Sequence, residues 1–164
     1  MGPAYAASDA DLLAQCDATS SSTHSPGGQH RNKAESAVRL RHRPGGLVAQ
    51  CEANRDRADN RAEALRRLRL RLALHERGTA DPGWLERYRN GSGIALGPDD
   101  DGYALVVACL LDALAQTGGQ LAEAARALAL SSSQITKVLS QDKEALHAAN
   151  QIRAAAGLGA LRRG

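Results

Sequence analysis

The residues best suited to chemistry lie in a short run at positions 25–33, which reads Ser-Pro-Gly-Gly-Gln-His-Arg-Asn-Lys. Gly27 and Gly28 have no Cβ, so the backbone there can adopt positive φ values and approach a ligand more closely than other residues allow. Pro26 restricts the entry to this loop. The four residues after Gln29 bring two cations and two hydrogen-bonding side chains, which suit contact with phosphate groups. The run therefore predicts a loop tip that is placed against RNA.

A wider pattern surrounds this loop. Its elements are Gly27-Gly28-Gln29, His30-Arg31-Asn32-Lys33, Glu35-Ser36-Ala37-Val38-Arg39, His42-Arg43-Pro44, Gly46-Leu47-Val48, Gln50-Cys51, Arg55, Asn60 and Ala64-Leu65. Over residues 17–78 the pattern resembles the catalytic domain of class I peptide chain release factors and of the shorter ribosome-rescue hydrolases related to them. The same tripeptide recurs at Gly118-Gly119-Gln120 without such neighbours, and there we predict a loop between helices.

The resemblance implies hydrolysis of the ester between a nascent peptide and the 3′ ribose of tRNA, in the ribosomal peptidyl transferase centre. Water is the nucleophile, and the family requires no metal, cofactor or nucleophilic side chain. The backbone N–H of Gln29 would stabilise developing charge, its side chain would help to position water, and Gly27 and Gly28 would permit that geometry. One preorganised donor of this kind contributes about 3 kcal/mol to catalysis. The resemblance also raises a glutamine methyltransferase, acting on Gln29, as a partner.

Contacts to ribosomal RNA are predicted from the cationic and hydrogen-bonding residues of the loop and of the segments behind it. For the arginines at 39, 41 and 43, the sequence leaves open whether they contact ribosomal RNA or form a solvated strand face. The family pattern also changes locally, because Asn54-Arg55-Asp56-Arg57 replaces the usual Glu-Arg-Ser-Gln. The predicted RNA-contacting residues are His30, Arg31, Asn32, Lys33, Arg39, Arg41, Arg43 and Arg55.

Charge is divided unevenly along the chain. Residues 23–77 carry a net charge of +7 and the remainder −4, within a formal total of +3. Only the first part is electrostatically suited to nucleic acid. The 3 cysteines have no paired spacing, which indicates neither a disulfide framework nor a zinc site. No apolar run reaches membrane-spanning length. We expect a cytoplasmic monomer that has no membrane partner.

The elements that must position the loop follow from local patterns. Residues 38–43 alternate arginine with apolar residues or histidine, which is typical of a half-buried strand, and leucines after residue 60 recur at helical spacing. The order β-α-β-β-α agrees with the α+β fold that the resemblance implies, and we assign residues 1–78 to this domain. The predicted elements are a helix over 7–15 capped by Ser8, a strand over 16–20, helical turns over 32–37, strands over 38–43 and 47–52, and a helix over 56–77.

The second half of the chain predicts a small all-α domain. Residues 79–102 are rich in Gly, Pro and Asp and predict a linker, in which Trp84 and Tyr88 clamp the chain to a domain. Residues 103–164 predict helices, with a helix-turn-helix pattern over 121–138 and an acidic helix cap at 99–101. The face of the would-be recognition helix carries a single cation, so a structural helix pair and a nucleic-acid contact both stay open.

The sequence thus predicts codon-independent peptide release on stalled or split ribosomes, since no stop-codon-reading domain is expected beside residues 1–78. The partners would be large-subunit RNA and peptidyl-tRNA. A catalytically silent ribosome-binding factor is the alternative from the binding class. A DNA-binding regulator that acts through the C-terminal helices is a third possibility.

Overall fold

A computed structural model describes residues 2–20 and 36–163. Contacts within the chain divide it into two units, one formed by Ala6–Leu72 and the other by Met1–Tyr5 together with Ala73–Gly164. The architecture mixes helices with small antiparallel sheets, as the predicted α+β class requires. The finer division into residues 1–78, 79–102 and 103–164 stays a prediction.

The first unit is built on a three-stranded antiparallel sheet in the order β1-β2-β3. Its strands are β1 (Cys16–Thr19), β2 (Val38–His42) and β3 (Val48–Cys51), preceded by helix α1 (Asp9–Ala14). Along β2 the side chains are alternately buried and exposed, which places the arginines on the open face, as the sequence pattern predicts. The helix predicted before β2, over residues 32–37, falls mostly outside the described residues.

Helix α2 (Arg57–His75) packs its leucines into the core of this unit. Leu68 and Leu72 are completely buried, because positions four residues apart lie on one face of a helix. On its other side the guanidinium of Arg67 donates to the Gln50 carbonyl at 2.8 Å, and Arg71 donates to the Val48 carbonyl. These bonds cover carbonyl groups on β3, which is an edge strand.

In the second unit, the predicted linker contains regular structure. Helix α3 (Gly83–Glu86) is followed by a two-stranded hairpin of β4 (Arg89–Asn90) and β5 (Gly93–Ile94). Trp84 meets the ring of Tyr5 edge-on, with ring centroids 5.9 Å apart, so it does hold this segment in place, as predicted.

Four helices complete the second unit: α4 (Tyr103–Gln116), α5 (Leu121–Leu128), α6 (Ser132–Leu139) and α7 (Lys143–Ala155). Helix α4 is almost entirely buried, and the other three pack around it. The predicted acidic cap of α4 is wrong. Its N-cap is Gly102, which makes no side-chain cap, and the Asp100 carboxylate instead accepts from the Gly97 N–H at 2.6 Å in the preceding turn.

Helices α5 and α6 form the predicted helical pair. Ala129 between them adopts a left-handed conformation with φ of 52°, the conformation for which such turns usually employ glycine. Ser131 then caps α6 by accepting from the Gln134 N–H, while the Gln134 side chain accepts from the Ser131 N–H, which completes a capping box.

Candidate functional site

The predicted catalytic residues Gly27, Gly28 and Gln29 lie outside the described residues, as do His30, Arg31, Asn32 and Lys33. The structure shows the two strands, β1 and β2, that precede and follow the segment containing these residues. Thr19 at the end of β1 pairs with Arg39 at the start of β2, and the two strands run antiparallel. The chain therefore leaves the sheet and returns to it at adjacent positions, so residues 20–37 connect two neighbouring strand ends.

The returning end of this segment is anchored by Asn60 of α2, whose side chain is completely buried. Its amide nitrogen donates to the carbonyl oxygens of Ser36 at 2.8 Å and Asn54 at 2.9 Å. Its amide oxygen accepts from the Asn54 N–H at 2.9 Å and from the Cys51 thiol at 3.3 Å. A single side chain thus joins the helix, the end of β3 and the point where the loop segment re-enters the fold.

Ser36 reinforces the same junction, since its hydroxyl donates to the Asn54 carbonyl at 2.9 Å. Buried backbone groups cost about 1–3 kcal/mol each when they lose their partners. The hydrogen bonds of Asn60 are therefore needed to keep Ser36 and Asn54 in fixed positions at the base of the loop. Sequence reasoning placed Asn60 in the family pattern without assigning it a role, and the role becomes visible only when Ser36 and Asn54 are seen on either side of it.

We predict that Asn60→Leu, which keeps the approximate volume but removes the hydrogen bonds of the side chain, lowers the free energy of unfolding by about 2–3 kcal/mol. Urea denaturation measures this change. Asp59→Asn, at the exposed neighbouring position of the same helix, is the matched control and should change stability by less than about 0.5 kcal/mol. A loss in Asn60→Leu no larger than in the control would contradict the anchoring role.

Four exposed arginines surround this loop base. Arg39 opens β2, Arg55 directly follows the anchored Asn54, and Arg57 and Arg61 lie one turn apart at the start of α2. Across residues 2–20 and 36–163, no hydrogen bond or ion pair occupies their guanidinium groups. They are therefore available to phosphate oxygens. Sequence reasoning did not single out Arg57 and Arg61, since their spacing alone does not place them beside the loop base.

The arginines further from the loop have structural bonds. Arg43 donates to the Cys16 carbonyl at 2.9 Å, to the Asp17 carboxylate at 3.0 Å and to the Ala14 carbonyl. Arg41 lies 4.0 Å from the same Asp17, with half of its side chain exposed. Arg43 thus ties the end of β2 to β1, whereas Arg39 makes no side-chain bond to residues 2–20 or 36–163. RNA contact by any of these residues stays a prediction.

Glu63 lies among the arginines in the middle of α2. Glu63 accepts from Arg66 at 2.7 and 2.9 Å and from Arg67 at 2.9 Å. The hydrogen bond from Arg66, helped by that from Arg67, lowers the pKa of the Glu63 carboxyl below its usual value. Glu63 thus offsets part of the positive charge in the middle of α2.

The second glycine pair has a structural role. Gly118 and Gly119 have φ of 61° and 81° and join α4 to α5, as predicted for an interhelical loop. The Gly119 carbonyl accepts from the Arg153 guanidinium at 2.7 Å, and a Cβ at Gly119 would lie only 3.3 Å from the Arg153 Cα. Gly119 is therefore packed against α7, whereas Gly118 is exposed.

Other kinds of site find no support in the described part of the chain. Residues 2–20 and 36–163 contain no group of His, Cys, Asp and Glu side chains arranged to hold a metal ion. None of the described helices combines the length and the apolar character needed to cross a membrane.

Comparison with known proteins places this geometry in context. Residues 13–88 match the model of the RF-1 domain family, and this range includes the loop, the sheet, α2 and α3. Peptide chain release factor 1 of Rhodospirillum rubrum is 48% identical over 69 residues, which cover 41% of this chain and 20% of the relative. Peptide chain release factor 2 of Variovorax paradoxus is 56% identical over 50 residues, covering 30% and 14% respectively.

Peptide chain release factor 2 of Treponema pallidum is 53% identical over 51 residues, covering 31% of this chain and 14% of the relative. The chain thus spans a fifth or less of the length of these curated relatives. No solved structure matches it significantly.

Proposed function

Because the chain belongs, through its RF-1 domain, to the class I peptide chain release factor family, we propose that it releases nascent peptides on the ribosome by hydrolysing peptidyl-tRNA, without reading a codon. The observation that carries this proposal is the position of Gly27-Gly28-Gln29 inside the matched range of residues 13–88. The attacking group is water, and the chain supplies the loop that orients it.

The frame around the loop supports this chemistry. Adjacent strand ends at Thr19 and Arg39 hold the two ends of the segment close together, and Asn60 fixes the returning end. A loop held at its base loses less conformational entropy when its tip is ordered in a binding site. Ordering the catalytic backbone N–H on the ribosome therefore costs less conformational entropy in this loop than it would in a free peptide.

Charge supports the proposed partner. The exposed guanidinium groups of Arg39, Arg55, Arg57 and Arg61 surround the loop base, and arginine binds phosphate oxygens with two parallel hydrogen bonds. Large-subunit RNA and the acceptor end of tRNA offer such phosphates. In the proposed complex these arginines hold the unit against RNA while the tip enters the peptidyl transferase centre.

Codon independence is the finer part of the proposal. The residues that follow the matched range form the helical second unit, in which α4 is apolar and buried and the face of α6 carries one cation, Lys137. We assign this unit to the recognition of the stalled particle rather than to the reading of a stop codon. The stalled ribosomes in question are those in which no tRNA or codon-reading release factor occupies the decoding site.

Codon independence is tested by measuring peptide release side by side on ribosomes with an empty decoding site, with a sense codon within a message and with a stop codon. The proposal expects release on the empty complex at a rate at least equal to that on the stop-codon complex. Release confined to the stop-codon complex would contradict codon independence. Stable co-sedimentation with ribosomes and no release on any complex would instead identify a catalytically silent binding factor.

A further inference from the structure

A groove of about 630 Å³ opens in the second unit between α6 and the chain segment that follows α7. We propose that this groove binds phosphate groups of an RNA backbone, and that it is a second RNA-binding site, separate from the loop of the RF-1 domain. Phosphate binding by the groove does not depend on the proposed function. The choice of RNA as the source of that phosphate rests partly on the proposed function.

One wall of the groove is a polar stripe along α6. The side chains of the stripe recur at intervals of three or four residues, so they share one face of the helix. The opposite face packs into the core through Ile135, Val138 and Leu139. The stripe consists of Ser133, Thr136, Lys137 and Ser140.

The other wall is a basic segment at the end of the described chain, and specific bonds hold it there. Asn150 of α7 forms two hydrogen bonds with the backbone of Leu161, accepting its N–H at 2.7 Å and donating to its carbonyl at 3.3 Å. Arg163 then donates through Nε to the Ser140 carbonyl at 3.2 Å. These bonds bring Arg162 and Arg163 to the mouth of the groove, across from Lys137.

Ser140, which lines the groove, has a hydroxyl group without a hydrogen-bond partner in the described part of the chain. Its hydroxyl oxygen is buried and has no hydrogen-bond partner, and it is the one such side-chain atom in the described part of the chain. A buried polar group without a partner costs about 1–3 kcal/mol. A phosphate oxygen in the groove would accept from this hydroxyl, while Lys137 and Arg162 would neutralise its charge.

The composition of the lining favours phosphates over base edges. No acidic residue lines the groove. Of the amide side chains on this surface, which could read bases, Gln134 is engaged in the capping box and Gln141 donates to the Leu96 carbonyl at 3.2 Å. Cations and hydroxyl groups remain, which is the set that binds a nucleic-acid backbone without regard to sequence.

Thr136 favours RNA over DNA. Its hydroxyl donates to the Ser132 carbonyl at 3.0 Å, so the oxygen can only accept a further hydrogen bond. Phosphate oxygens have no proton to donate, whereas the 2′-hydroxyl of ribose does. An acceptor beside two cations and a free hydroxyl thus fits a ribose-phosphate backbone better than a deoxyribose one.

The test is equilibrium binding of the full chain to a short fluorescein-labelled RNA hairpin, measured by fluorescence anisotropy over a range of salt concentrations. The double variant Lys137→Gln/Arg162→Gln is expected to raise Kd about tenfold at low salt. It should also make the dependence of log K on log salt shallower by about one for each cation removed. Arg126→Gln, which removes one positive charge on α5 outside the groove, is the control and should leave both quantities nearly unchanged.

Ser140→Ala separates a binding role from a structural one. Since the hydroxyl has no partner in the protein, its removal should weaken RNA binding about three- to tenfold while the thermal unfolding midpoint stays level or rises. The proposal is overturned if the double variant binds the hairpin like the wild type, or if Arg126→Gln weakens binding equally. Binding of a duplex DNA of the same sequence as tightly as the RNA would overturn the assignment to RNA.

These outcomes are independent of those for peptide release. The Gln29→Pro variant should lose peptide release and keep the wild-type affinity for the RNA hairpin, because it leaves the groove untouched. If the wild type failed to release peptides while the groove variants still lost RNA binding, the proposed function would be contradicted and the RNA-binding site in the groove would be supported.

Discussion

Replacement of Gln29 by proline is expected to lower the rate of peptide release on ribosomes by about 100- to 1,000-fold, the usual cost of removing one preorganised transition-state donor. Proline has no backbone N–H, so this substitution deletes the proposed donor itself. A single-turnover assay on ribosomes that carry labelled peptidyl-tRNA measures the effect directly, since it reports the hydrolysis step apart from turnover.

Gln29→Ala is the matched control, because alanine retains the backbone N–H and loses only the side chain. Its release rate should fall much less than that of the proline variant. Gly28→Ala adds a Cβ where the loop is proposed to need glycine, and it should also slow release. If the alanine and proline variants at position 29 were equally slow, the side chain rather than the backbone donor would be responsible.

Asp112→Asn should reduce the free energy of unfolding of the second unit by about 3–5 kcal/mol, the typical cost of breaking a buried ion pair. Asp112 is completely buried in α4 and binds three partners from distant parts of the chain. It accepts from the Tyr5 hydroxyl at 2.5 Å, from the Gly78 N–H at 3.0 Å and from the Arg77 guanidinium at 3.0 Å. An amide at this position would leave Arg77 without its counter-charge.

Asp112 is completely buried, and 29% of the Arg77 side chain is exposed. Burial, followed by the hydrogen bond to Asp112, raises the pKa of the Tyr5 phenol, and burial lowers the pKa of Arg77 against the attraction of the same carboxylate. Fluorescence of Trp84, the single tryptophan of the chain, reports unfolding here because its ring touches Tyr5.

Two further variants separate the contribution of the Tyr5 hydrogen bond from that of the Arg77 ion pair. Tyr5→Phe removes one hydrogen bond to a charged group and should cost about 1.5–3 kcal/mol, less than the loss of the carboxylate. The double variant Asp112→Leu/Arg77→Met should be more stable than Asp112→Leu alone, since no unpaired charge is left inside. A cost below about 1 kcal/mol for Asp112→Asn would contradict the importance of this pair.

Local patterns allowed the first unit to be predicted well. Alternation along β2 identified its exposed arginines, and leucine spacing identified α2 to within two residues at each end. Ser8 was recognised as a helix cap, and its side chain accepts the expected backbone hydrogen bond. These features depend on residues close together in the sequence, which is why the sequence alone revealed them.

Features that join distant residues were missed. Nothing near Asp112 in the sequence indicates Tyr5, which lies 107 positions away. The groove on the second unit was likewise invisible, because it combines α6 with a segment that Asn150 holds beside it. One local signal was overlooked as well: Gly91-Ser92 is typical of a two-residue hairpin turn, and it does join β4 to β5.

The most direct measurement of the central claim is a cryo-EM structure of the catalytically impaired Gln29→Pro variant bound to a ribosome that carries peptidyl-tRNA. The account predicts that residues 27–29 lie in the peptidyl transferase centre, with the backbone of residue 29 within hydrogen-bonding distance of the ester at the 3′ end of the tRNA. Density for the same residues far from the acceptor end of the tRNA would contradict it.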